Sequence, residues 1–191
     1  MTSQAIALLG MLCCTLGAAG AQVASGPTLI VDVDVNDDVW LRDHAMTEQD
    51  VSALVKQLKE NGCQTLLIRC GCLGLLPYQT ALSYPMGFDA EHARAHPTAD
   101  IADMEKYIAD RVALGERYAE VIKAFNPPEV FIRAAHEQGI KAIVWIDLFD
   151  DLYPGYRSKF LEEHPQCQWV GKDGKTHFIG LTDYSWPEAQ A

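Results

Sequence analysis

Residues 29–36, Leu-Ile-Val-Asp-Val-Asp-Val-Asn, alternate apolar and polar side chains. A period of two, rich in β-branched residues, predicts a strand with one buried face. The period then changes. Val51, Leu54, Val55 and Leu58 recur at helical spacing, after a Thr47/Asp50 pair that approximates a capping box and before Asn61-Gly62, which ends a helix. Residues 64–70 predict a second strand. Residues 71–98 hold Gly, Pro, Tyr and His with no sustained period, so they read as a long excursion of the kind that is usually functional or disordered.

A helical pattern returns over 99–125, where Tyr118, Val121, Ile122 and Phe125 share a face. Asn126-Pro127-Pro128 interrupts it. Pro128 suits the first turn of a helix that runs to Gln138 and stops at Gly139. Residues 140–149, Ile-Lys-Ala-Ile-Val-Trp-Ile-Asp-Leu-Phe, predict a third strand. Pro154-Gly155 and Asp173-Gly174 mark turns, and Pro187-Glu188-Ala189 resembles a first helical turn.

Strands alternating with helices imply a parallel sheet with right-handed crossovers. The expected fold class is α/β: a partial TIM (β/α) barrel, about the first three β/α units of eight, over residues 28–191. The 191 residues are fewer than the ~250 usual for a full barrel. The chain is therefore expected to be the N-terminal part of a longer one.

In such a barrel the two faces of each strand have different neighbours, so parity sorts the side chains. Leu29, Val31, Val33 and Val35, then Leu66, Ile68 and Cys70, then Ala142, Val144, Ile146 and Leu148, are expected against the helices. Ile30, Asp32, Asp34 and Asn36, then Thr65, Leu67 and Arg69, then Ile143, Trp145, Asp147 and Phe149, are expected inside. Asp34, Asn36, Arg69, Trp145 and Asp147 thereby collect near the C-terminal strand ends, the catalytic face of such barrels. Asp34 and Asp147 are the candidate catalytic acids, because paired carboxylates serve as acid, base or nucleophile in glycoside cleavage. Trp145 would stack on a sugar ring, and Arg69 and Asn36 would contact substrate. The competing reading is an ion pair in which Arg69 neutralises Asp32 or Asp34.

Composition and charge narrow the partners. Hydrophobic residues make up 49% of the chain, enough for one core. A formal net charge of −11 argues against nucleic acid and against an anionic membrane surface. Ala5 to Ala21 is apolar and small, and Ala19-Gly20-Ala21 fits a cleavage pattern, so residues 1–21 read as a signal peptide. No Lys or Arg precedes that run. The run is too short and too Gly/Ala-rich for a membrane anchor, and Met11-Leu12 before Cys13-Cys14 does not suit lipidation. Export to a secreted or periplasmic location permits disulfides among Cys63, Cys70, Cys72 and Cys167, but their spacing selects no pairing.

No metal or cofactor is expected. Asp32-x-Asp34-x-Asn36 echoes a Ca²⁺ loop, with Asp37 where the turn needs Gly; a looser Ca²⁺ site would use Asp37 and Asp38. His92 and His96 lack a third ligand and read as solvated. His136, at a helix end, reads as structural. His164 precedes a Pro on a loop near the active face and is a candidate substrate contact. Tyr78, Tyr84, Tyr153, Tyr156 and Trp169 fall on loops of that face, either as a sugar platform or packed beneath the loops. Asp150 and Asp151 read as rim acids or solvated loop acids.

Ala134-Ala135-His136-Glu137-Gln138-Gly139-Ile140-Lys141, followed by a strand ending Trp145-Ile146-Asp147, resembles the glycosyl-hydrolase-like barrel proteins of bacteria, distant relatives of the alpha-amylase superfamily. In that family a helix ending Ala-His-x-x-Gly-Ile feeds a strand ending in Trp. Glu163-His164-Pro165-Gln166-Cys167-Gln168-Trp169 resembles its His-Pro-Glu-Trp segment, with Gln166 in place of Glu and Cys167 inserted. Asp183-Tyr184 before Pro187-Glu188 resembles the start of its next helix. The resemblance implies a hydrolase of O-glycosidic bonds in a carbohydrate, with a further catalytic Asp on a fourth strand that this chain does not include. The alternative is a non-catalytic carbohydrate-binding or interaction protein on the same scaffold.

Overall fold

A computed structural model describes residues 28–147, 153–175, 182–183 and 185–190. Residues 1–21, with Cys13 and Cys14, lie outside the described residues, as do Leu148, Phe149, Asp150, Asp151 and Tyr184. Strand β1 (Leu29–Asp34) passes directly into α1 (Val35–Leu41), which is followed by α2 (Glu48–Glu60) and strand β2 (Cys63–Arg69). The connection to the third strand carries a two-residue pair, β3 (Leu75–Leu76) with β4 (Tyr84–Pro85), then α3 (Ala90–Ala95), α4 (Met104–Ala124) and α5 (Pro127–Glu137). Strand β5 (Lys141–Trp145), α6 (Lys159–Glu163), a 3-10 turn at Pro165–Cys167 and α7 (Pro187–Gln190) complete the order.

The protein is mixed α/β. Its main sheet has the order β1-β2-β5, with both pairings parallel. The sheets are open, and the described strands form no closed barrel. Register places Asp34 beside Arg69 and Arg69 beside Trp145. One face is apolar and packed: Val33, Leu66, Ile68 and Cys70 are buried. They join Val51 and Val55 of α2 and Val130, Phe131, Ala134 and Ala135 of α5 in one core. Each of the Val, Leu, Ile and Phe side chains among them contributes about 1.5–3 kcal/mol of burial. Phe131, fully buried, is the residue whose truncation would cost most, about 3–5 kcal/mol.

Local chemistry explains the helix ends. Thr47 caps α2 with the reciprocal bonds of a capping box to Asp50, as the sequence predicts. Asn126 caps α5, with Pro127 and Pro128 in its first turn. Gly139 follows with φ +64°, a conformation that Gly adopts without strain.

Three expectations need correction. Strand β1 ends at Asp34, so Val35 and Asn36 belong to α1. The cause is the Asp34 carboxylate, whose Oδ1 accepts the Asn36 N–H at 2.8 Å and so starts a helix, with Asp37 and Asp38 favourable in its first turn. Val35 is buried in helical geometry as it would be in a strand, which hid the change of period. Second, the strand expected over 140–149 ends at Trp145, before Ile146 and Asp147, and Val144 and Ile146, expected against helices, are 48% and 53% exposed. Strand β5 is a sheet edge, so its outer side lacks the neighbour that the parity argument assumes. Third, residues 71–98 are not structureless, since they hold β3, β4 and α3.

Candidate functional site

The sheet face away from α2 and α5 carries the charged residues. Arg69 Nη1 donates to Asp34 Oδ2 at 2.8 Å, and Arg69 Nη2 donates to Asp147 Oδ2 at 2.9 Å. One guanidinium thus bridges the two candidate acids, using the fork geometry that lysine lacks. The guanidinium carbon also sits 5.2 Å from the centre of the Trp145 ring, within cation–π range. The Trp145 indole N–H donates to Asp32 Oδ1 at 3.0 Å.

Burial sets the electrostatics of this cluster. The side chains of Arg69 and Asp34 are 20% and 18% exposed, against 31% for Asp147. Burial by itself would lower the Arg69 pKa. The Asp34 hydrogen bond and the nearby negative charge outweigh it, so Arg69 stays above the ordinary arginine value. Both oxygens of Asp34 are engaged, one by Arg69 and one by the Asn36 N–H. Asp147 is the more accessible of the two carboxylates.

Asn36 reaches the cluster from α1, not from a strand. Its side-chain amide donates to Cys72 Sγ at 3.0 Å, and its backbone carbonyl accepts the Tyr118 hydroxyl at 2.7 Å. Asn36 Oδ1 and Arg69 Nε are buried and have no hydrogen-bond partner among the described residues. Nothing in the local sequence announced Tyr118, because the contact spans 82 positions.

His164 is not part of this assembly. It caps the end of α6 and stacks on Phe160, with ring centres 4.8 Å apart, beside a small second core of Leu161 and Cys167. The loop aromatics divide. Tyr156 is buried and Tyr153 is bonded to Asp100, so these two pack, whereas Trp169 is 49% exposed. Trp40, which the pattern did not single out, is 52% exposed with the Arg111 guanidinium 4.3 Å from its ring centre.

His92 and His96 are not solvated: both are half-buried, with ring centres 4.5 Å apart. Burial first, then the charge of His96, lowers the His92 pKa. Asp32, Asp34 and Asn36 straddle a strand end and a helix start, so they do not form the loop that a Ca²⁺ site of that spacing needs. Among the described residues no group of three or more His, Cys, Asp or Glu side chains could hold a metal. Cys63, Cys70, Cys72 and Cys167 are buried thiols, and burial pushes Cys70 up to about 11.

A groove of about 670 Å³ lies elsewhere, lined by Tyr78, Pro128, Ile132, His136 and Val144 among others. It is the uncovered flank of β5 beside α5, and neither Arg69 nor its two carboxylates lines it. The convergent charge sits on the open sheet face instead. No described helix is long and apolar enough to cross a membrane. No protein-family model matches the chain, and no curated protein matches its sequence.

Proposed function

We propose that this chain is the N-terminal, sugar-facing portion of a secreted glycoside-hydrolase-like β/α protein. In this reading a neutral carbohydrate lies over Trp145 at the C-terminal ends of the strands. Asp147 is the candidate reacting carboxylate, Arg69 and Asn36 are candidate substrate contacts, and Asp34 positions Arg69. The observation that carries the reading is the row Asp34–Arg69–Trp145 in register across three parallel strands, with Asp147 on the same guanidinium. Strand C-termini in parallel α/β sheets are where ligands bind. A flat indole beside a forked donor and carboxylate acceptors suits a ring that bears hydroxyls. Glycoside hydrolysis uses two carboxylates about 5–10 Å apart, so Asp147 would act with a second acid.

A second reading, carbohydrate binding without hydrolysis, is favoured by one observation: both oxygens of Asp34 are already engaged.

The test is reducing-end release from neutral polysaccharides by the chain and by its Asp147→Asn variant, with binding measured in parallel. Hydrolysis lost in Asp147→Asn supports the first reading. Binding without hydrolysis, lost in Trp145→Ala, supports the second. Neither binding nor hydrolysis would sink both.

A further inference from the structure

A second group of residues with the chemistry of a sugar site lies away from the Arg69 cluster. Its frame is short and well anchored. Cys167 is fully buried against Leu161, with Phe160 and Ala189 packed around them. Gln168 pairs with Thr182 in an antiparallel bridge, and the Asp183 N–H donates to the Cys167 carbonyl at 2.6 Å. These bonds hold Cys167 and Gln168 beside Thr182 and Asp183. The turn after them is also fixed: Asp183 Oδ1 accepts the Ser185 N–H at 2.9 Å, and the Trp186 N–H donates to the Asp183 carbonyl at 3.3 Å. Helix α7 starts immediately afterwards at Pro187.

Two tryptophans emerge from this frame. Trp169 is 49% exposed and Trp186 is 42% exposed. With Gln166, Gln168, Asp183 and Ser185 they line a groove of about 560 Å³. Two half-exposed indoles in one groove make a local apolar patch. Val170, 62% exposed, adds an aliphatic side chain to the patch, and the remaining lining is polar. Two amides, a hydroxyl and a carboxylate offer both donors and acceptors.

Charge selects the ligand. The lining holds one carboxylate and no Lys, Arg or His, on a chain of net charge −11. The Ser185 backbone N–H, then its side chain, hold the Asp183 carboxyl below its ordinary range, so it is an acceptor at neutral pH. Phosphates, nucleic acids and acidic glycans are repelled. A neutral ring with an apolar face and vicinal hydroxyls meets every group in the groove.

We infer that the groove between Trp169 and Trp186 is a binding site for a neutral glycan, distinct from the Arg69 cluster. It shares only the class of ligand with the proposal above, and either site can exist without the other. Its chemistry is stacking plus hydrogen bonding, with no covalent step. Such a site would hold a polymeric carbohydrate to the protein independently of Trp145.

The test is affinity electrophoresis of the whole chain in gels containing soluble starch, hydroxyethyl cellulose, arabinoxylan or galactomannan. Wild-type protein is expected to be retarded by at least one of them. Trp169→Ala and Trp186→Ala should each weaken that retardation about tenfold, the scale of one lost aromatic contact, while Trp169→Phe keeps most of it. Because both rings are about half exposed, the fold should tolerate these changes, and urea unfolding of each variant checks this. Retardation that survives in Trp145→Ala assigns it to this groove even if the Arg69 cluster proves inert. Retardation by none of the four polymers overturns the inference. So does retardation unchanged in both tryptophan variants, or retardation lost only in Trp145→Ala.

Discussion

The indole N–H of Trp145, on edge strand β5, donates to Asp32 on the opposite edge strand β1. The bond spans β2, so the ring lies across the middle strand with the Arg69 guanidinium against it. Replacing Trp145 with Phe keeps a flat apolar surface and removes the donor. The expected cost to stability is about 0.5–1.5 kcal/mol, one exposed hydrogen bond plus a weakened cation–π contact. Urea unfolding measures it. A change near zero would mean that the ring does not hold the two edges together.

Arg69 faces two carboxylates and can satisfy both only as a fork. Arg69→Lys should lose one of the two bonds and about 1 kcal/mol. Arg69→Met leaves Asp34 and Asp147 near each other with no countercharge. It should cost about 2 kcal/mol, less than for a fully buried pair because the group is partly solvated. Denaturation of the two variants at one salt concentration gives the comparison. Equal losses would contradict the fork.

Gly155 and Gly139 both adopt positive φ, +86° and +64°, but their surroundings differ. A methyl group at Gly155 would collide with the Phe88 ring, whereas one at Gly139 would meet nothing within 4 Å. Gly139→Ala should cost about 1 kcal/mol of backbone strain. Gly155→Ala adds a packing clash and should cost about 2–4 kcal/mol. Thermal melts of the two alanine variants separate strain from collision.

His92 Nδ1 accepts the Gly155 N–H at 3.2 Å, which a protonated imidazole cannot do. Its pKa is lowered in the fold, by burial first and then by His96, with Arg157 adding to the effect and Asp89 and Glu162 opposing it. A lowered histidine pKa means that the unfolded chain takes up the proton first. The contribution is therefore intact above the ordinary value of 6.5 and declines as pH falls below it. Stability measured from pH 8 to about 5 should fall in the wild type and fall less in His92→Gln. Parallel curves would remove His92 from the account.

Much of the packed side was readable from the sequence. Val51, Leu54, Val55 and Leu58 announced the buried face of α2, and Thr47 with Asp50 announced its cap. Parity on β2 was clear because that strand has neighbours on both sides. It failed on β5 and just past its end, where Val144 and Ile146 are apolar yet exposed. The period of two placed Asp34, Arg69 and Trp145 on one face, and the strand register sets them side by side. Asn36 was assigned to the wrong element because a single carboxylate turned strand into helix there, an effect that hydrophobic pattern does not record. Tyr118 and the Asp32–Trp145 bond were illegible, since both depend on tertiary approach.

The Asp34 carboxylate has two tasks: one oxygen closes the bridge to Arg69, and the other opens α1. Trp40, exposed near the far end of that helix and stacked with Arg111, shares the helix that Asp34 starts. A ligand that draws Arg69 outward would tug on the first turn of α1 through the same side chain. One carboxylate thus ties the start of a helix to the charge on the sheet face, so the two cannot be altered separately by changing that residue.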